Sequence, residues 1–152
     1  MGNVRGFASV LLAALLVASN VQAQEKGKAP FSMGNGEKNW IDVAGVSREN
    51  SVLTFPEVKI DGNGWLVVHR FENGAANGDK YVGKTYVKDS KNANVSIEVL
   101  KGLTQGEMFI VMLHRDGSEN KALDFIFIDE TNVMDRAVFE GGRMIGHAIP
   151  AP

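Results

Sequence analysis

The chain has 152 residues, no cysteine, and a formal net charge of −2 from 16 basic and 18 acidic residues. The missing thiols exclude a disulfide framework, thiolate chemistry and a lipidated cysteine. So mild a charge balance gives no electrostatic reason to expect nucleic acid or an anionic lipid surface as partner.

The N-terminus reads as a secretory signal. Arg5 precedes the apolar run Phe7 to Ala18, and Val21 and Ala23 then place small residues just ahead of a cut at Gln24. The run is too short to span a bilayer comfortably. Cleavage after Ala23 leaves 129 residues, 15 of them basic and 18 acidic, for a net charge of −3. That is enough chain for one domain with a real core. No second apolar stretch is long enough to cross a membrane, so the expected product is soluble and periplasmic or secreted. Residues 24–38, rich in Gly, Lys, Glu and Asn and without periodicity, read as a flexible leader. Residues 39–152 read as a single domain.

From Trp40 onward, short apolar runs are separated by turn residues. "WIDVAGV" is followed by a turn at "SREN", and "SVLTFPEVKI" carries Pro56 in its middle, which predicts an edge strand or two kinked pieces. "DGNG" turns into "WLVVHRF", and "ENGAANGD" at 72–79 reads as a loop. In "NVSIEV" the apolar set Val95, Ile97 and Val99 alternates with Asn94, Ser96 and Glu98, as in a half-buried strand. "MFIVMLHR" is apolar on both faces and so predicts a central strand. "ALDFIFID" follows with Leu123, Phe125 and Phe127 on one face, and "RAVFEGGRMIGHAIP" predicts one or two short strands around Gly141–Gly142. No helical periodicity is sustained beyond the signal. The pattern predicts an all-β, immunoglobulin-like antiparallel β-sandwich of about seven or eight strands.

"GDKYVGKT", residues 78–85, satisfies the phosphate-loop pattern G-x-x-x-x-G-K-[ST]. A working phosphate loop opens a helix whose first N–H groups converge on the phosphates. Here Tyr81 and Val82 favour extended backbone, and "TYVKDSKNANVSIEV" has no helical face. "FIFID" imitates a magnesium-holding strand, but a strand ending in Asp at a turn is common in any β protein. The expectation is therefore a strand, with no nucleotide bound.

Two strands share a phrase, "WLVVHRFENG" around His69 and "IVMLHRDGS" around His114. If the strands are neighbours, these histidines could converge. With His147 they would form three neutral imidazoles suited to zinc. Met112 and Met144, two and three residues from His114 and His147, make a mixture that could suit copper, although the structural reading of both is core filler. No short-range His-x-His spacing supports this. The structural alternative is that each histidine caps a strand and bonds a neighbouring acid or carbonyl. Arg70, Arg115 and Asp116, from the same phrases, are candidate binding residues. His114 and Asp116 could share a strand face, but a His–Asp pair without a nucleophile is not a triad. Asp61 in "DGNG" lacks the later acids of a calcium loop, and Asn94-Val95-Ser96 is a glycosylation sequon by pattern.

"WLVVHRFENG", "YVGKTYV", "NANVSIEVL", "MLHRDGS" and "DFIF", with the tail to Gly146, resemble a family of uncharacterised secreted domains. That family is best represented among haloarchaeal surface proteins and is also found in bacterial exports. "MLHRD" is the specific part of the likeness. The resemblance implies an extracytoplasmic β-sandwich without an assigned activity. This chain differs from the haloarchaeal members in its mild charge, and it is expected to lack their stalk and anchoring helix.

Together these features predict an exported, non-catalytic domain that binds or assembles with a protein or small ligand. The rival readings are a periplasmic zinc or copper protein using His69, His114 and His147, and an extracytoplasmic enzyme whose site is built on loops such as "ENGAANGD".

Overall fold

The computed structural model describes residues 32–72, 75–100, 102–124 and 134–152, with backbone alone for 75–79. The signal peptide, most of the leader and the "FIFID" run lie outside the described residues. The strands are β1 (Met33–Gly34), β2 (Trp40–Ile41), β3 (Ser47–Glu49), β4 (Val52–Ile60), β5 (Gly64–Glu72), β6 (Ala75–Val87), β7 (Ser90–Glu98), β8 (Met108–Arg115), β9 (Phe139–Glu140) and β10 (Arg143–Pro150). No helix occurs among the described residues, and the chain forms the expected all-β sandwich.

One sheet runs β1-β10-β8-β5-β6, with β9 beside β10; in the other, β4 pairs with β2 and β3 along one side and with β7 along the other. All pairings are antiparallel except β1 with β10. The core between the sheets is built from Leu53, Phe55, Val58 and Ile60 of β4 and Val95 and Ile97 of β7. Facing them are Leu66 and Val68 of β5, Phe109, Val111 and Leu113 of β8, and Ile145 of β10. As the alternation predicts, Val95, Ile97 and Val99 are buried while Asn94, Ser96 and Glu98 are exposed.

Three sequence expectations are revised. First, Pro56 does not split β4 or push it to an edge. β4 is one continuous central strand, and the partner breaks instead. β2 pairs with Val58 and Lys59, β3 pairs with Val52 to Thr54, and the loop between them passes Pro56, which has no N–H to donate. Across the sheet, Asn94 faces this point with φ +51°. Second, "ENGAANGD" is mostly strand, because β5 and β6 pair as far as Glu72–Ala75. Third, the end of the leader is tied down. Met33 and Gly34 pair with Met144 and Ile145, and the Glu140 carboxylate accepts from the backbone N–H groups of Glu37, Lys38 and Asn39 and from the Asn39 amide, at 2.8–3.3 Å.

The phosphate-loop look-alike lies wholly within β6. Gly83 has a packing role there. A Cβ at this position would stand 2.7 Å from the Glu98 carbonyl oxygen and from Ile97, so β7 can approach only a glycine. Lys84 lies 5.1 Å from the Trp65 ring centre and 5.3 Å from that of Tyr81, in cation–π contact.

The Glu140 clamp generates a pH prediction. Its hydrogen bonds, the Asn39 amide first and the Lys38 N–H next, pull the carboxyl down from 4.5 to about 2. A depressed carboxyl contributes stability that is complete above 4.5 and is lost as pH falls toward 2. Urea midpoints measured from pH 7 to 2 should show Glu140→Gln less stable than wild type at pH 7, with the two curves converging at the acid end. Parallel curves would refute the clamp.

Candidate functional site

The ladder between β5 and β8 decides where the histidines go. Its rungs pair Trp65 with His114, Val67 with Met112, and His69 with Ile110. Side chains alternate across a strand, so these six share one face, opposite the face that Leu66, Val68, Phe109, Val111 and Leu113 turn to the core. All six are buried, with His69 at 0% and His114 at 2% exposure.

The rungs of His69 and His114 are four residues apart, about 13 Å along the strands. Yet the two ring centres are only 5.7 Å apart, with the planes tilted by 35°. Both rings therefore lean toward the middle rung, Val67–Met112. The shared phrase in the sequence thus corresponds to neighbouring strands whose histidines meet.

Each Nδ1 faces a backbone carbonyl: Lys80 O at 3.2 Å from His69, and Asp135 O at 2.9 Å from His114. A carbonyl can only accept, so Nδ1 carries the proton, and in the neutral ring Nε2 carries the lone pair. Burial pushes the His114 pKa down to about 4. The Asp135 carbonyl opposes this and the neighbouring His69 adds to it.

His147 is not part of this group. It pairs with Val111 and so belongs to the opposite face of the sheet, where its Nε2 lies 2.8 Å from Asn35 Oδ1. Burial lowers its pKa as well. Among the described residues no three His, Cys, Asp or Glu gather as a metal-ligand set.

The remaining candidates are held in structural contacts. Arg70 donates to Glu107 at 3.0 Å and to the Gly102 carbonyl at 3.2 Å. Arg115 is exposed and sits against Gly62. The two arginines lie at opposite ends of the ladder, roughly 20 Å apart along the strands.

Asp116 is buried and accepts from Tyr86 Oη at 3.1 Å and from the Lys121 N–H at 3.1 Å. Burial first, and Asp116 second, raise the Tyr86 pKa. Ser118 links Asp116 to Asp124, and Asn120 donates to Asp124 at 2.7 Å. Asp135, fully buried, accepts from the N–H groups of Gly117 and Asp124 at 2.9 Å each. Sequence reading had no signal for Asp135, which lies 21 residues from His114. The same holds for Tyr86, a strand residue that only pairing brings beside Trp65.

Residues 40–148 match the model of a family described as a domain of unknown function, DUF7282. No functionally curated protein and no solved structure matches the chain.

His114 supplies a second pH window for the metal-free protein. Its pKa is 6.5 when unfolded and about 4 when folded, so the unfolded chain takes up this proton first. Stability is then complete above 6.5 and falls as pH drops toward 4, by up to ~1.4 kcal/mol per pH unit. Between pH 7 and 5 the loss should be about 2 kcal/mol by urea unfolding. His114→Gln should shrink that slope, with the remainder from groups such as His147, and an unchanged slope would show that His114 does not contribute to it.

Proposed function

We propose that this chain, which belongs to the DUF7282 family, is an exported, non-catalytic binding module. The ligand that its geometry suits best is a single metal ion held by His69 and His114. The observation that carries this reading is the buried pair of rings 5.7 Å apart, each with its Nδ1 on a carbonyl. Histidines that bind metals characteristically donate their other ring N–H to a carbonyl or carboxylate, which orients the ligating nitrogen. Of the residues singled out in the sequence, these are the two that the fold brings face to face. His147, on the other face of the sheet, has no part in the proposed centre.

The contacts of Asp116 favour binding over catalysis. His114 turns its Nδ1 to the Asp135 carbonyl, and the Asp116 carboxylate is occupied by Tyr86 and Lys121. The His–Asp orientation that would support a nucleophile is therefore not formed by this pair. Export is proposed from the N-terminal sequence, with its charged start, apolar run and small-residue cut site ahead of Gln24.

One preparation tests both parts. Protein isolated from the exported fraction should begin at Gln24 by N-terminal sequencing. Native mass spectrometry with added zinc or copper should then show one ion per chain. That ion should be lost in His69→Gln and His114→Gln and retained in His147→Gln. A cytoplasmic chain that still begins at Met1 would remove the export reading. A mass that stays bare under both metals would remove the metal reading.

A further inference from the structure

We infer that the centre selects a soft, monovalent ion, copper(I), with the Met112 thioether as its third ligand. This rests on the reading of His69 and His114 as a metal pair and specifies its chemistry. Met112 is the side chain that β8 supplies to the middle rung, over which both rings lean. It is buried, faces the same side as the histidines, and is two residues from His114 on the same strand. On its other flank β10 presents Gly146. A Cβ there would stand 3.0 Å from Met112 Cβ and 2.9 Å from the Val111 carbonyl oxygen. The glycine keeps space beside the methionine.

The ring separation suits one ion shared by both Nε2 atoms. A metal about 2.0 Å from each Nε2 lies about 3.2 Å from each ring centre, so the observed spacing corresponds to an angle of about 125° at the ion. That angle accommodates a trigonal arrangement. Two imidazoles and a thioether complete such a set, and all three are neutral.

Burial then discriminates between metals. Among the described residues the set is three neutral ligands, and a divalent ion so surrounded keeps its full charge in a buried site, which is costly. Zinc in closed protein sites takes four ligands, commonly including thiolates or carboxylates. Copper(I) carries half that charge and favours thioether sulfur. Met144, the other methionine near a histidine, lies beyond the last rung joining β10 to β8 and is only half-buried.

The test uses the mature chain, stripped with a chelator and loaded anaerobically with copper(I) or with zinc. Wild type should bind one copper(I) in competition with a chromophoric copper(I) chelator and bind zinc more weakly. Its copper X-ray absorption spectrum should contain a sulfur neighbour. Met112→Leu, a swap of similar volume, should fold normally and lose copper(I) affinity by about 10- to 100-fold.

A wild-type protein that binds neither metal would overturn the histidine-pair reading, and this inference with it. Copper(I) bound with nitrogen neighbours alone, or equally by Met112→Leu, would leave the pair standing and overturn the role of Met112. A preference for zinc would overturn the selectivity. The absorption spectrum of wild type decides the ligand even if the variant is unstable.

Discussion

The antiparallel ladder between β5 and β8 is the constraint on which the other features depend. Its seven rungs run from Gly64–Arg115 to Arg70–Phe109, with a further strand on each side, β6 and β10. A side-chain period of two sends alternate residues to opposite faces. Both faces of this strand pair are buried, so both sets must be apolar or internally bonded. One set supplies the core. The other, Trp65, Val67, His69, Ile110, Met112 and His114, forms a second buried layer in which the histidines are the polar members. A slip of one residue would exchange the two sets and place imidazoles in the centre of the sandwich.

Close backbone approaches hold this register. Gly64, at the first rung, lies so near β8 that a Cβ would stand 2.1 Å from the His114 carbonyl oxygen. Gly83 gives β7 the same freedom against β6. In the second sheet, Pro56 keeps its place at the centre of β4 because its neighbour is interrupted there. Each device puts a residue with a backbone peculiarity where two strands could otherwise not approach or pair. At the margin, Arg48 reaches the Leu103 carbonyl and Arg70 the Gly102 carbonyl, securing the turn between β7 and β8. Arg70, from the first His-Arg phrase, thus serves the frame, while His69 beside it points to the buried layer.

Much of this was legible. Strict alternation in "NVSIEV" identified its inward residues, and the unbroken apolar run of "MFIVMLHR" identified a central strand, because only a strand covered on both faces can be apolar on both. The Gly141–Gly142 turn followed from two residues free to adopt positive φ, observed at +59° and +77°. Less was legible where the partner decides the outcome. "ENGAANGD" has the composition of a loop, yet pairing with β5 draws its alanines into a strand. "GNGEKN" resembles a solvated tail, but Glu140, a hundred residues later, supplies the acceptor that orders its N–H groups.

The sequence by itself determined the strand-rich class, the inward faces of the amphipathic strands, and the candidacy of His69, His114 and His147 as metal ligands. These are local properties, set by side-chain polarity and a period of two. Only the tertiary structure decided that β5 and β8 are neighbours, that His69 and His114 share a face, and that His147 lies on the other. Register between distant strands follows from the mutual fit of two buried faces, and neither strand carries that fit alone.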